Sequence, residues 1–174
     1  MQKLYLTLLA AMFLLPLGMS GQSIWSTWDS TYREINVKQL IEEETHNALE
    51  IDRGKIEEGN HQHIEHIRFP AKYKMHKRPI EAETLGSIKR VYSIYGGNPN
   101  IIDFINYEVL IETGGLSIWM PVQEELLKEL KRSTRKKRSV VLYCIYLNEH
   151  PEKGKLFHHF IISEMRAIPG DAKP

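Results

Sequence analysis

Two apolar runs, Tyr107–Thr113 and Leu116–Met120, flank the pair Gly114-Gly115. Consecutive glycines supply the positive φ angles that a two-residue hairpin turn needs. With the turn placed there, Thr113 faces Leu116, Ile111 faces Ile118 and Val109 faces Met120. The other face pairs Leu110 with Trp119. Apolar residues meet on both faces, so one face must lie on a core and the other must be covered by a helix.

The remaining apolar spacings extend this sheet. Val140–Leu147 reads as a strand, His150–Gly154 as a turn, and Leu156–Ile168 as a long final strand. In that last strand Phe157, His159, Ile161, Ser163, Met165 and Ala167 share one face; Leu156, Phe160, Ile162 and Ile168 take the other. Ile64–Met75 is extended but contains Pro70, which cannot donate to a ladder, so this strand is an edge or is bulged there. Pro79 opens a helix with Glu81 and Glu83 in its first turn and an apolar stripe of Leu85, Ile88, Val91, Tyr92 and Tyr95. Gly96-Gly97 ends it, and Ile101–Ile105 is a short link. Val122–Lys131 is a second helix with Leu126, Leu127 and Leu130 inward. Ahead of all this, Trp25, Trp28, Tyr32 and Ile35 recur at helical spacing, and residues 22–58 form one or two amphipathic helices.

The order β-α-β-β-α-β-β defines an α+β chain: a small curled five-stranded sheet or partly open barrel with two inserted helices, preceded by an N-terminal helical segment. The arrangement resembles an oligonucleotide/oligosaccharide-binding (OB) barrel. The likeness is of architecture; no family motif carries it, and fold does not give function. The segments expected are a leader at 1–21, the helical segment at 22–60, the barrel-like domain at 61–170 and a disordered tail at 171–174.

A chain of 174 residues with 42% hydrophobic and 26% charged residues is one ordinary domain, neither disordered nor collagen-like. Residues 22–60 hold nine acids and four bases, and residues 61–138 hold nine acids and fourteen bases. The acidic first part is therefore a candidate to pack on the basic middle. The near-zero net charge, +1, excludes a uniformly basic nucleic-acid binder but not a local basic patch. Lys3 is the only charge before Asp29. An apolar run, Leu4–Met19, follows it, and Gly18, Ser20 and Gly21 supply small residues at the exit. That is the pattern of a secretory signal peptide, which leaves no membrane span after cleavage. Cys144 is the only cysteine and no Asn-x-Ser/Thr acceptor occurs, which points to a bacterial exported protein, periplasmic or secreted.

The candidate chemistry is sparse. His61, His63 and His66 form the most conspicuous cluster of metal-ligand type. On a strand His61 and His63 share a face while His66 points away; on a helix His63 and His66 are neighbours and His61 points away. No regular element converges all three. His158 and His159 point to opposite faces of their strand, and His159 reads as a hydrogen-bonded core imidazole rather than a general base. Lys131–Arg138 places six bases in eight residues, in a segment read as a loop; Arg135, Lys136, Lys137 and Arg138 are its candidate phosphate or glycan contacts, with Trp119 as a stacking ring. Tyr143, Tyr146 and Cys144 lie in an apolar strand pattern and read as packing residues. None of G-x-S-x-G, H-E-x-x-H, a Walker loop or G-x-G-x-x-G is present.

These readings favour a non-enzymatic, cofactor-free binding or accessory protein that recognises a protein or envelope component. A polyanion-binding module for nucleic acid or acidic glycan is a second, less favoured reading. A histidine-dependent metal protein or hydrolase is a third. The export reading has a direct check: N-terminal sequencing of material from the native host should find Gly21 or Gln22 first. A retained Met1 would instead mean an anchor.

Overall fold

The computed structural model describes residues 24–55, 63–96, 99–135 and 139–168. The segments expected to be a leader and a tail, together with His61 and Lys136–Arg138, lie outside them. The elements are α1 (Ile24–Thr31), β1 (Arg33–Glu34), α2 (Val37–Asp52), β2 (Ile64–Pro79), α3 (Ala82–Ile94), a 3-10 helix (Pro99–Phe104), β3 (Tyr107–Thr113), β4 (Leu116–Val122), α4 (Glu124–Arg135), β5 (Val140–Glu152) and β6 (Lys155–Ala167).

Five strands close into a mixed barrel in the order β2-β3-β4-β6-β5 and back to β2. Residues 64–71 of β2 pair antiparallel with β5, and residues 72–79 pair with β3. The parallel contact Val122↔Ile162 joins β4 to β6. β1 adds a short parallel rung, Arg33↔Ile67, just before β3 takes over as a neighbour of β2. The barrel interior is filled by residues such as Ile67, Phe69, Ile111, Met120, Leu142, Cys144, Tyr146, Phe160 and Ile162. Val37 and Leu40 of α2 and Leu127 and Leu130 of α4 join the same core. A second apolar cluster lies outside the barrel: Ile88 and Val91 of α3, with Ile102 and Ile105, cover Leu147 and Ile161.

The β3–β4 hairpin has the register that the paired glycines predict, from Thr113↔Leu116 to Val109↔Met120, with Leu110↔Trp119 on the outer face. Gly114 and Gly115 hold φ values of 55° and 81°. Cys144 is fully buried, and desolvation pushes its thiol far above the ordinary range, so it acts as a small core residue.

Several local expectations are corrected. Residues 24–52 hold two helices, and Tyr32 and Ile35 fall between them rather than continuing the first. Asn36 caps α2, its side chain accepting from the backbone N–H groups of Lys38 and Gln39. Pro79 does not open a helix: it is the last residue of β2, opposite Tyr107, and α3 starts at Ala82. Pro70 keeps regular register opposite Val141; the irregularity in β2 falls between Tyr73 and Lys77, where Met75 has φ 63°. Ile101–Phe104 is helical, of 3-10 type. Val122 closes β4, and the helix after it runs to Arg135, so Lys131–Arg135 is helix rather than loop. The final strand does not keep one parity. A bulge at Ser163, between Tyr143↔Glu164 and Cys144↔Ile162, moves Met165 onto the interior face with Phe160 and Ile162.

Ile162 has no exposure and sits where β4 and β6 close the barrel. Ile162→Ala should cost about 2–5 kcal/mol, read as a lower denaturant midpoint, because the rigid ring of strands cannot collapse on the cavity.

Candidate functional site

Three polar clusters attach helices to the barrel, and each is built from residues far apart in the chain. The first lies under α2. Glu44, buried on the inner face of that helix, receives Asn148 Nδ2 from β5 and faces His63 Nδ1 at 3.2 Å. Asn148 in turn accepts the His63 backbone N–H at 2.8 Å. The other nitrogen of His63 lies 3.4 Å from Glu65, which Arg33 holds through a guanidinium pair. The hydrogen bond to Glu44 raises the His63 pKa above its ordinary value, against the opposing effect of burial. At the same end Tyr146 OH meets His158 Nδ1 at 2.8 Å. The crevice between α2 and β5, lined by Glu44, Asn47, Asn148 and His150, leaves no room for a water molecule.

The second cluster fastens α3. Ser87 Oγ lies within hydrogen-bond distance of Glu149 Oε2 and 2.7 Å from His159 Nε2. Arg90 grips Glu149 with two bonds, at 2.7 and 2.8 Å. Ser87, Glu149 and His159 are all buried. Burial pushes the Glu149 carboxyl up, but the bonds from Arg90 and Ser87 outweigh it and hold the group below its ordinary range. Burial also drives His159 down to about 4, so near neutral pH it is an uncharged imidazole. A neutral His159 donates to Ser87 Oγ, and Ser87 donates to Glu149. The hydroxyl proton therefore points to the carboxylate, not to the imidazole. That polarity is the reverse of a nucleophilic serine with a histidine base.

The third cluster lies under α1. Asp29 accepts from Tyr143 OH at 2.8 Å and from Arg166 at 2.9 and 3.3 Å, with Arg68 Nε at 3.7 Å. Those bonds, the one from Tyr143 first, hold Asp29 below the usual carboxylate range; burial, with Asp29 beside it, raises Tyr143 to about 12. Trp25 stacks on Tyr143 at 5.7 Å, and Trp28 meets its edge at 5.6 Å. Asp29 and Glu34 both pair with Arg68, so charges of the acidic N-terminal part do meet the basic middle.

Among the described residues the sequence-derived candidates stand apart. His63 is half-buried against Glu44, whereas His66 is exposed on the opposite face of β2 against the Tyr32 ring at 5.0 Å. His61 lies outside the described residues, and His63 and His66 do not share a face. Among the described residues no group of three or more His, Cys, Asp or Glu side chains is placed to hold a metal ion. Arg135 is exposed at the last residue of α4. Trp119 is on the outer face of β4, partly buried, with one face of its ring covered. The Arg78 guanidinium lies 4.4 Å over its ring, pinned by Glu108 at 2.8 Å and by Glu81. Burial raises the Glu108 carboxyl, and Arg78 offsets part of that rise. Tyr143 and Tyr146 are packed, as their apolar context predicts.

Family models, curated proteins and solved structures give no match to this chain.

The buried His159 predicts acid sensitivity. Its folded-state pKa is depressed, so the unfolded chain binds more protons between pH 6.5 and 4, and stability falls as pH drops through that window. The contribution is of order 3 kcal/mol for a shift of this size. His63 acts with the opposite sign: it stabilises below its unfolded pKa and that stability is lost as pH rises through the raised folded value. Urea titrations at pH 4.5 and 7 should show a smaller pH difference in His159→Gln than in the wild type. An unchanged difference would put the acid sensitivity elsewhere.

Proposed function

We propose that this chain is an exported, non-enzymatic binding module with an OB-like barrel, and that it recognises a protein partner through the insertion between β2 and β3. The observation that carries the reading is the exposure of Ile94 (60%), Tyr95 (50%) and Phe104 (69%) on that insertion. These are half of the six large apolar side chains exposed among the described residues. They stand on a rigid unit, because α3 and the 3-10 helix share the cluster of Ile88, Val91, Ile102 and Ile105 and the Lys89–Asp103 ion pair. Apolar and aromatic side chains held on a fixed support are the anchors of protein interfaces.

The electrostatics support an apolar, near-neutral partner surface. Lys89 pairs with Asp103, Arg90 with Glu149, and Lys155 with Glu83, so the cations around the insertion are compensated internally. The OB likeness is supported by the strand order, with the helix α4 between the third and fourth barrel strands. In barrels of that type the loop after the first strand is a recognition element. In this chain that connection is the α3 insertion.

A second reading has one observation in its favour. α4 puts Lys131, Arg132 and Arg135 in its last turns, and the sequence continues with Lys136, Lys137 and Arg138. Polyanion binding there would fall steeply with salt.

A photo-crosslinking residue at Phe104 should capture a discrete protein in the native envelope or secreted fraction, and one at Ser117 should not. Replacing Ile94 and Phe104 with Ser should abolish the capture while the melting temperature stays within a few degrees, since both side chains are exposed. Equal crosslinking from positions 104 and 117 would sink the proposal. Salt-sensitive retention on heparin, lost when Arg135, Lys136, Lys137 and Arg138 become Ser, would favour the polyanion reading.

A further inference from the structure

Further along the outer wall of β5 and β6, under α1, the barrel carries a carboxylate receptor. Arg68 of β2 stands opposite Tyr143 of β5, and Arg166 of β6 stands opposite Val141, two residues before Tyr143. Their neighbours Ile67, Phe69, Leu142 and Cys144 fill the interior, so these three side chains share the outer face. The Arg166 guanidinium and the Tyr143 phenol donate to one carboxylate, and Arg68, whose Nε donates to the Tyr32 carbonyl and whose Nη1 pairs with Glu34, adds a second positive charge 3.7 Å from it; this is recognition chemistry that a rigid sheet preorganises. Aromatic rings surround the Arg166 and Tyr143 pair: Arg166 lies 5.8 Å over Tyr143 and 5.6 Å over Trp25 of α1, and Tyr32, just after α1, meets Tyr143 edge-on at 5.5 Å.

α1 has eight residues and buries none of them fully. A helix this short is not stable alone in water, so its stability depends on its contacts with the wall, those of Trp25, Trp28 and Asp29 among them. Elements of that kind open locally at far lower cost than the barrel beneath them. Arg68, Tyr143 and Arg166 stay in place when the helix leaves, because they stand on β2, β5 and β6.

We infer that this wall is a docking site for an acidic, aromatic helix of a partner protein, and that α1 is its built-in competitor. The occupant in cis defines the motif: aromatic, two small polar residues, aromatic, acid, as in Trp25-Ser26-Thr27-Trp28-Asp29. Each feature of the motif has a receiver. The first ring stacks on Tyr143, the second meets Tyr143 edge-on and lies tilted against Tyr32, and the acid enters beside Arg166 and Tyr143 with Arg68 nearby. A tethered competitor acts at an effective concentration of about mM, so a partner helix gains access only when it binds better or when α1 is displaced.

The test uses the intact chain and a labelled peptide copying residues 22–33, followed by fluorescence anisotropy. Wild-type protein should bind it weakly. The variant combining Trp25→Ala, Trp28→Ala and Asp29→Ala should bind it at least tenfold more tightly, and added salt should weaken that binding because the Asp–Arg pair is partly exposed. Arg166→Gln in the same background should remove the gain. If the triple variant fails to fold, Asp29→Asn alone carries the test, since it cancels the charge of the competitor without removing its rings. Equal peptide affinity with and without a functional α1, or a gain that survives Arg166→Gln, would overturn the inference. Sedimentation showing that intact chains pair by exchanging α1 would overturn the partner and assign the wall to self-association.

Discussion

The barrel depends on a single strand bonding to two neighbours in succession. β2 gives residues 64–71 to β5 and residues 72–79 to β3. Without that handover the other four strands form an open ladder with two bare edges. With it, every barrel strand has a partner on each side. A strand that changes partners has to turn across the barrel. The turn is absorbed between Tyr73 and Lys77, where Met75 takes a left-handed φ of 63° with its side chain about half exposed. The strain therefore sits outside the core, at a residue whose side chain packs nothing essential.

The helices are fixed by polar groups rather than by apolar contact alone. α2 and α3 each bury an apolar stripe, but a stripe lets a helix slide or rotate. Glu44 meeting Asn148 and His63, and Ser87 meeting Glu149 and His159, each admit one position. A buried carboxylate left without its partners is far more costly than a displaced methyl group, so these clusters act as locators. Within these two clusters the donors and acceptors are engaged with one another, and the proton of Ser87 is aimed at Glu149.

Two features stand on the outside of the barrel. The insertion carrying α3 presents Ile94, Tyr95 and Phe104 on a stiff support, and the wall under α1 presents Arg68, Tyr143 and Arg166. Both features lean on the β5–β6 hairpin, with strands of 13 residues each, and the wall takes Arg68 from β2. The hairpin serves as barrel wall on one face and as a mounting surface on the other.

What the sequence determined by itself was local: hairpin register, helix periodicity, and the burial of strands that are apolar on both faces. Gly114-Gly115 fixes the β3–β4 pairing because a two-residue turn leaves one register, and Cys144, Tyr143 and Tyr146 read as packed because their neighbours are apolar. Tertiary structure decided everything that needs two distant segments. The parity of β6 beyond Ser163 changes because β5 forces a bulge, which no alternation within β6 foretells. Pro79 reads as a helix start, yet it ends β2 because Tyr107 offers a strand partner 28 positions away. The basic run at 131–138 reads as a loop, but α4 continues to Arg135 because Leu127 and Leu130 anchor it to the core and Ser133 is buried beside them. Asp29 with Arg166, Glu44 with Asn148 and Ser87 with His159 are separated by 137, 104 and 72 residues. No spacing rule relates such pairs; only closure of the barrel brings them within hydrogen-bond distance.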